Sequence, residues 1–445
     1  MSREKFTTFS LLLLLFGLLP ARGYAEGMGI EPDAYGSVFL GLSLVVVAYF
    51  FSYLLYKWLI ARHGFVSGAP FVLLGLLLVP WTGWLEITLN FQPLVLIASA
   101  AVALQVGLGM GRKRLVTEGA GIMSFLFVVT AVTVFFVVVL PLLALDLWAD
   151  EATQEFWIIG ILALGAMALV AEGRQLDAIA DYFGVEGESL ELARKVTWWS
   201  TVIAALFFGL VIAFFQPTWV FFDDARNGAI LVGAHLVLGG VIGAIGGALL
   251  EERPEDDRAL TILIGLVITL AATAYLTPLS VVFLSVVAGL TMINISSEAI
   301  RMRQMVDSAH VPLYILLLFA VGTLWSPTMG LTGLLMVAIY LGLRFLGRLL
   351  GIYLFRPRLT GHRPDPGIHR ALWAPGALTA AMIVDMVSTF GTDGVMALIL
   401  SAFILILVAE EVVSFVLVRG WMIDISDAGP SRRRTSPWGD WGGKQ

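Results

Sequence analysis

Cysteine is absent from all 445 residues, and histidine occurs only five times. Disulfides, thiol nucleophiles and cysteine-based metal sites are thereby excluded. Charge is scarce too: Asp, Glu, Lys and Arg make up 13% of the chain, about half the ~25% of a soluble globular protein. The net charge of −6 and the pI near 5.5 carry no electrostatic footprint for nucleic acid. The chain lacks a nucleophile–base motif, metal-ligand spacing and a glycine-rich phosphate loop, so neither an enzyme nor a cofactor is indicated. What is abundant is apolar surface, with 59% hydrophobic residues and a mean hydropathy of +0.90.

That apolar content falls into runs of bilayer-spanning length, at 37–60, 68–80, 91–110, 118–145, 156–181, 194–215, 228–250, 258–276, 279–296, 310–325, 330–354, 370–390 and 394–419. None alternates in polarity as a barrel strand does, so an all-α polytopic membrane protein of about thirteen helices is expected, with the bilayer as its solvent. Basic residues fix the orientation. Arg112-Lys113-Arg114, Arg194-Lys195, Arg301, Arg303 and Arg432-Arg433-Arg434 fall on one set of loops. Asp146, Asp150, Glu151, Glu155, Asp223, Asp224 and Asp393 fall on the other, with the single base Arg226. The N-terminus is therefore predicted outside and the C-terminus in the cytoplasm.

The ends read differently from the middle. Arg3 and Lys5 precede a short apolar stretch, and Gly23 and Ala25 supply small residues for cleavage, so residues 1–25 read as a signal peptide; an uncleaved first helix is the alternative. Residues 26–36 would form an extracytoplasmic segment and 37–420 the transmembrane domain. The Gly-, Ser-, Arg- and Trp-rich stretch 421–445 would be a disordered tail, and no fused nucleotide-binding domain is read. Thirteen helices also permit helices one to six to repeat as eight to thirteen with inverted topology, the plan of many secondary transporters.

Ionisable residues and helix breakers at membrane depth are functional candidates. The fifth run holds Ala171-Glu172-Gly173-Arg174, where a glycine between opposite charges suits an interrupted helix. A Glu172–Arg174 pair near the inner surface, or a helix that ends early, would explain the same residues. The twelfth run holds Pro375-Gly376, a second break or an ordinary proline kink, with Asp385 beyond it. Arg344 and Arg348 share one face of the eleventh run. Both could snorkel to the cytoplasmic surface, the reading that suits Arg348; Arg344, nearly three turns before Arg356, is harder to place there and reads as charge-compensating, as does Arg174. One of Glu410 and Glu411 reads as an acceptor capping another helix, His235 as a packing residue, and Gly239 to Gly247 as a close helix-packing face.

These residues resemble the monovalent cation:proton antiporter superfamily, nearest its Kef-like branch, across nearly the whole mature chain. The likeness rests on Val287–Leu290 with Asn294, Val311–Tyr314 and Phe319–Gly322, on Pro375–Asp385, on Val408–Glu411 with Arg419, and on Arg344–Gly351. It implies an inverted-repeat antiporter fold with two interrupted, crossing helices, a homodimer, and a bacterial inner membrane. It also implies transport of a monovalent cation against protons by alternating access. By the family's count, Glu172 takes the acidic break position. Ser200-Thr201 takes the place of the usual acidic pair. Hydroxyls do not titrate near neutral pH. The ion- or proton-binding candidates are accordingly Glu172, Ser200, Thr201 and Asp385. The rival reading is a non-transporting scaffold or sensor that keeps the fold.

Overall fold

The computed structural model describes residues 67–82, 92–111, 120–145, 149–150, 153–216, 224–251, 256–277, 279–296, 298–325, 330–355, 367–392 and 394–425, with a few positions between 50 and 58. The signal segment, most of the first apolar run and the tail lie outside the described residues.

Each run from the second onward has its helix. These are α1 (Ala69–Thr82), α2 (Gln92–Leu108), α3 (Ala120–Val134, continued through Phe135–Val139 and Leu140–Leu143), α4 (Gln154–Leu169), α5 (Gly173–Phe183), α6 (Glu188–Phe215) and α7 (Asp224–Glu251). They continue as α8 (Asp256–Leu276), α9 (Val281–Ile295), α10 (Ala299–Thr323), α11 (Gly330–Phe355), α12 (Ile368–Ala371), α13 (Gly376–Phe390) and α14 (Gly394–Ile425). Strands are absent among the described residues. Eight of the described helical segments are long and apolar enough to cross a membrane, and α2, α9 and α13 are shorter apolar helices.

Local chemistry accounts for the irregular points. In α3 the π-helical turn Phe135–Val139 ends two residues before Pro141, whose missing N–H cannot close the normal ladder. Between α5 and α6 the chain turns on Gly184, left-handed at φ 65°, where the Val185 N–H reaches back to Ala180 O at 3.0 Å. The tenth run is read from 310, yet α10 begins at Ala299. Its first turns carry charge that the apolar pattern does not register, and Arg301 there pairs with Asp256 of α8.

The helices sort into two bundles. One contains α1, α2 and α7 to α10, with tight pairs α2–α9, α7–α9 and α1–α10. The other contains α3 to α6, α11, α12 and α14, while α13 packs on α6 and α14 of this bundle and more heavily on α2 and α10 of the first. Small residues allow the close pairs. A Cβ on Gly243 would lie 2.3 Å from Ala288 O, and Gly107 and Gly289 face each other across α2 and α9. The glycine run of α7 is thus a packing face against α9. The bundles meet chiefly where α13 packs on α2 and α10, where α6 packs on α7 and α9, and where α14 packs on α1.

Candidate functional site

α4 and α5 form one transmembrane element that opens for three residues. Val170 is extended at φ −60°, ψ 131°, and Glu172 likewise at φ −82°, ψ 118°. α12 and α13 are similarly separated by Leu372 to Pro375, and Gly376 opens α13 at φ 67°. The two openings cross. Glu172 N–H donates to Ala374 O at 2.9 Å, and Ala377 N–H donates to Glu172 Oε2 at 2.5 Å. A Cβ on Gly376 would fall 1.5 Å from Glu172 Oε2, so only glycine lets the carboxylate sit at the N-terminus of α13.

Interrupting a helix in lipid leaves orphan carbonyls on one side and orphan N–H groups on the other. The carbonyls are met in order by side chains. Arg348 Nη2 donates to Ala168 O at 2.5 Å and to Val170 O at 3.0 Å, and Arg344 Nη2 donates to Val170 O at 2.9 Å. Ser200 Oγ donates to Leu169 O at 2.5 Å, and Thr201 Oγ1 lies 2.7 Å from Ala171 O. Cationic arginines thus face the partial negative charge at the end of α4, and the Glu172 carboxylate faces the partial positive charge at the start of α13. Arg344 also forms an ion pair with Glu410, both fully buried. The snorkelling expectation for Arg348 is therefore corrected: it is 2% exposed and bonded to the break, because carbonyls at depth are nearer partners than headgroups.

The Glu172 carboxylate also looks across to the other bundle. His310 Nε2 of α10 is 2.9 Å from Oε1, and Arg174 Nε is 4.0 Å away on the same side. Arg174 continues to Asp307 at 2.5 Å, and Asp307 accepts from Gln105 of α2. His310 Nδ1 is buried without a partner among the described residues. Its ring stacks on Tyr314 at 6.0 Å, and the Tyr314 hydroxyl donates to Glu411 Oε1 at 2.5 Å. Glu411 Oε2 accepts from Gly68 N–H at 2.7 Å, just ahead of α1, so this member of the glutamate pair does cap another helix.

Ala171, Glu172, Gly173, Arg174, Ser200, Thr201, Arg344, Pro375 and Gly376 are thus brought to one crossing. Asp385 is not among them. It accepts from Ser280 Oγ at 2.5 Å, Val281 N at 3.1 Å and Val282 N at 3.2 Å, closing the N-terminus of α9. His235 completes that anchor: its Nε2 accepts from Ser280 N–H at 2.8 Å, so Nδ1 carries the proton toward Leu231 O at 2.7 Å. Reading the sequence misses His310 and Asp307, which sit with no spacing signal at the head of an apolar run. Among the described residues no three His, Asp or Glu side chains gather as a metal-holding group.

No protein-family model and no curated protein matches the sequence. Solved structures do match. A structure of the sodium proton antiporter MjNhaP1 from Methanocaldococcus jannaschii at pH 8 is similar at a TM-score of 0.64 and 14% identity, covering 87% of this chain and 98% of that one. An electron-microscopy map of the same antiporter is similar at a TM-score of 0.51 and 13% identity, covering 96% of this chain and 97% of that one. The chain therefore has the multi-pass, all-helical fold seen in that sodium proton antiporter.

Proposed function

We propose that the chain is a secondary transporter exchanging a monovalent cation for a proton by alternating access, with Glu172 and His310 as the exchange pair. The observation that carries this reading is their 2.9 Å contact at the crossing of the two breaks. One partner belongs to the bundle that contains α4 and α5 and the other to the opposing bundle, so the contact lies where relative movement of the bundles would act.

The chemistry follows from charge. Protonated His310 pairs with the Glu172 carboxylate and leaves it no capacity for a second cation. Loss of that proton frees the carboxylate for a monovalent cation, so one proton and one cation compete for the same negative charge. Histidine suits the role because its proton exchanges between about pH 5 and 8. The surrounding charges are Arg174 and Asp307, which pair with each other, and Glu411 beyond Tyr314. Ser200 and Thr201 stand where the resembling family has its acidic pair. Here they hold the carbonyls on which Glu172 is mounted, a positioning role.

The resemblance to the Kef-like branch, a homodimer, an inverted repeat and a bacterial inner-membrane setting with the C-terminus inside belong to the same reading. The sodium proton exchange named for the fold neighbour supports a small monovalent cation as cargo. The test is cation-dependent pH change in proteoliposomes after an imposed pH jump, for the parent and for Glu172→Gln. Flux in the parent and none in a folded E172Q protein is expected. Absence of flux for sodium and potassium in the parent would favour the scaffold reading.

A further inference from the structure

The arginines that close the first break leave a surplus of donors. Tyr340, Arg344 and Arg348 recur one turn apart on a single face of α11, and all three are buried. Trp373, in the second break, places its ring 5.3 Å from Arg344 Cζ. Arg344 and Arg348 share Val170 O as acceptor, so their guanidinium groups are neighbours, and the Tyr340 hydroxyl interacts electrostatically with both.

Once Arg344 is paired with Glu410, four donor groups stay without an acceptor among the described residues. They are Arg344 Nε, Arg348 Nη1, the Tyr340 hydroxyl and Trp373 Nε1. The charges do not balance either. Two guanidiniums face one carboxylate, and the carbonyl end of α4 supplies only about half an elementary charge. Arg348 has no carboxylate partner among the described residues, although a buried cation at membrane depth needs one.

From this we infer that the cluster binds a small monovalent inorganic anion of the chloride class, held by Arg348 Nη1, Arg344 Nε, Tyr340 and Trp373. Water is a poorer occupant. Arginine and indole nitrogens only donate, whereas a water molecule must donate as well as accept, and among the described residues the carboxylate acceptors of the cluster are the two Glu410 oxygens, of which Oε1 already faces Arg344. A bound anion neutralises Arg348 and ties α11 to both breaks at once. This inference stands apart from the exchange reading, since it concerns binding and not flux.

The test uses the purified full chain in nanodiscs, with sodium chloride exchanged for sodium gluconate at constant ionic strength. Thermal unfolding is followed across a chloride titration. A saturable, chloride-dependent rise in the unfolding midpoint is expected, with bromide substituting for chloride. The conservative variants Trp373→Phe and Tyr340→Phe each remove one donor without removing charge. Each should weaken the apparent chloride affinity by about tenfold while still folding in gluconate. Equal midpoints in chloride and gluconate for the parent would overturn the inference. So would a chloride response that both variants keep unchanged, since the anion would then bind elsewhere.

Discussion

Replacing Gly376 by alanine would set a methyl carbon 1.5 Å from Glu172 Oε2, at a backbone angle of φ 67° that alanine rarely adopts. Two costs follow. The left-handed backbone penalty for a side chain is about 1–2 kcal/mol. The carboxylate must also withdraw and give up the Ala377 N–H bond, a charged hydrogen bond worth about 1.5–3 kcal/mol. Gly394 isolates the second cost, because it opens α14 as Gly376 opens α13, with φ at 55°, but nothing lies within 4 Å of its Cβ position. Gly376→Ala should therefore destabilise the protein by about 1.5–3 kcal/mol more than Gly394→Ala. Thermal or denaturant unfolding in nanodiscs reads the difference, and cation flux should fall in the first variant alone. Equal destabilisation by the two substitutions would refute the placement of the Glu172 carboxylate at the start of α13.

Three further outcomes follow from the same contacts. Glu410→Gln leaves the buried Arg344 without its carboxylate and should cost about 3–5 kcal/mol of stability, while Arg344→Met with Glu410→Leu should recover much of it in a double-mutant cycle. Ser200→Ala with Thr201→Ala strips hydroxyl partners from Leu169 O and Ala171 O; the cation concentration for half-maximal flux should rise while proton exchange persists. Asp385→Asn should weaken the anchor of α9 by about 1–3 kcal/mol and leave the pH dependence of flux unchanged, because Asp385 lies outside the crossing.

The spans were legible because apolar length and clustered charge are direct consequences of the bilayer. Pro375-Gly376 and the Glu172-Gly173 pair were legible as interruptions because each weakens the helix locally, and the structure crosses them at the expected residues. Partner choice was less visible. Arg348 reads as a surface-seeking side chain until the carbonyls of Ala168 and Val170 are placed beside it, since these lie far off in sequence. Asp385 has the composition of an ion ligand, and its commitment to Val281 and Val282 depends on how α9 meets α13. His310 carried no signal at all: one histidine on a helix has no period, and its meaning comes from Glu172 on another bundle.

Proton release on cation binding tests the exchange pair most directly. Purified protein in weakly buffered detergent, titrated between pH 5 and 7 with sodium or potassium chloride against a choline chloride control, should release protons, up to about one per chain at the acid end, as the cation displaces protonated His310 from Glu172. Both His310→Gln and Glu172→Gln should abolish that release while the proteins stay folded. Undiminished release from the His310→Gln protein, or none from the parent, would contradict the assignment.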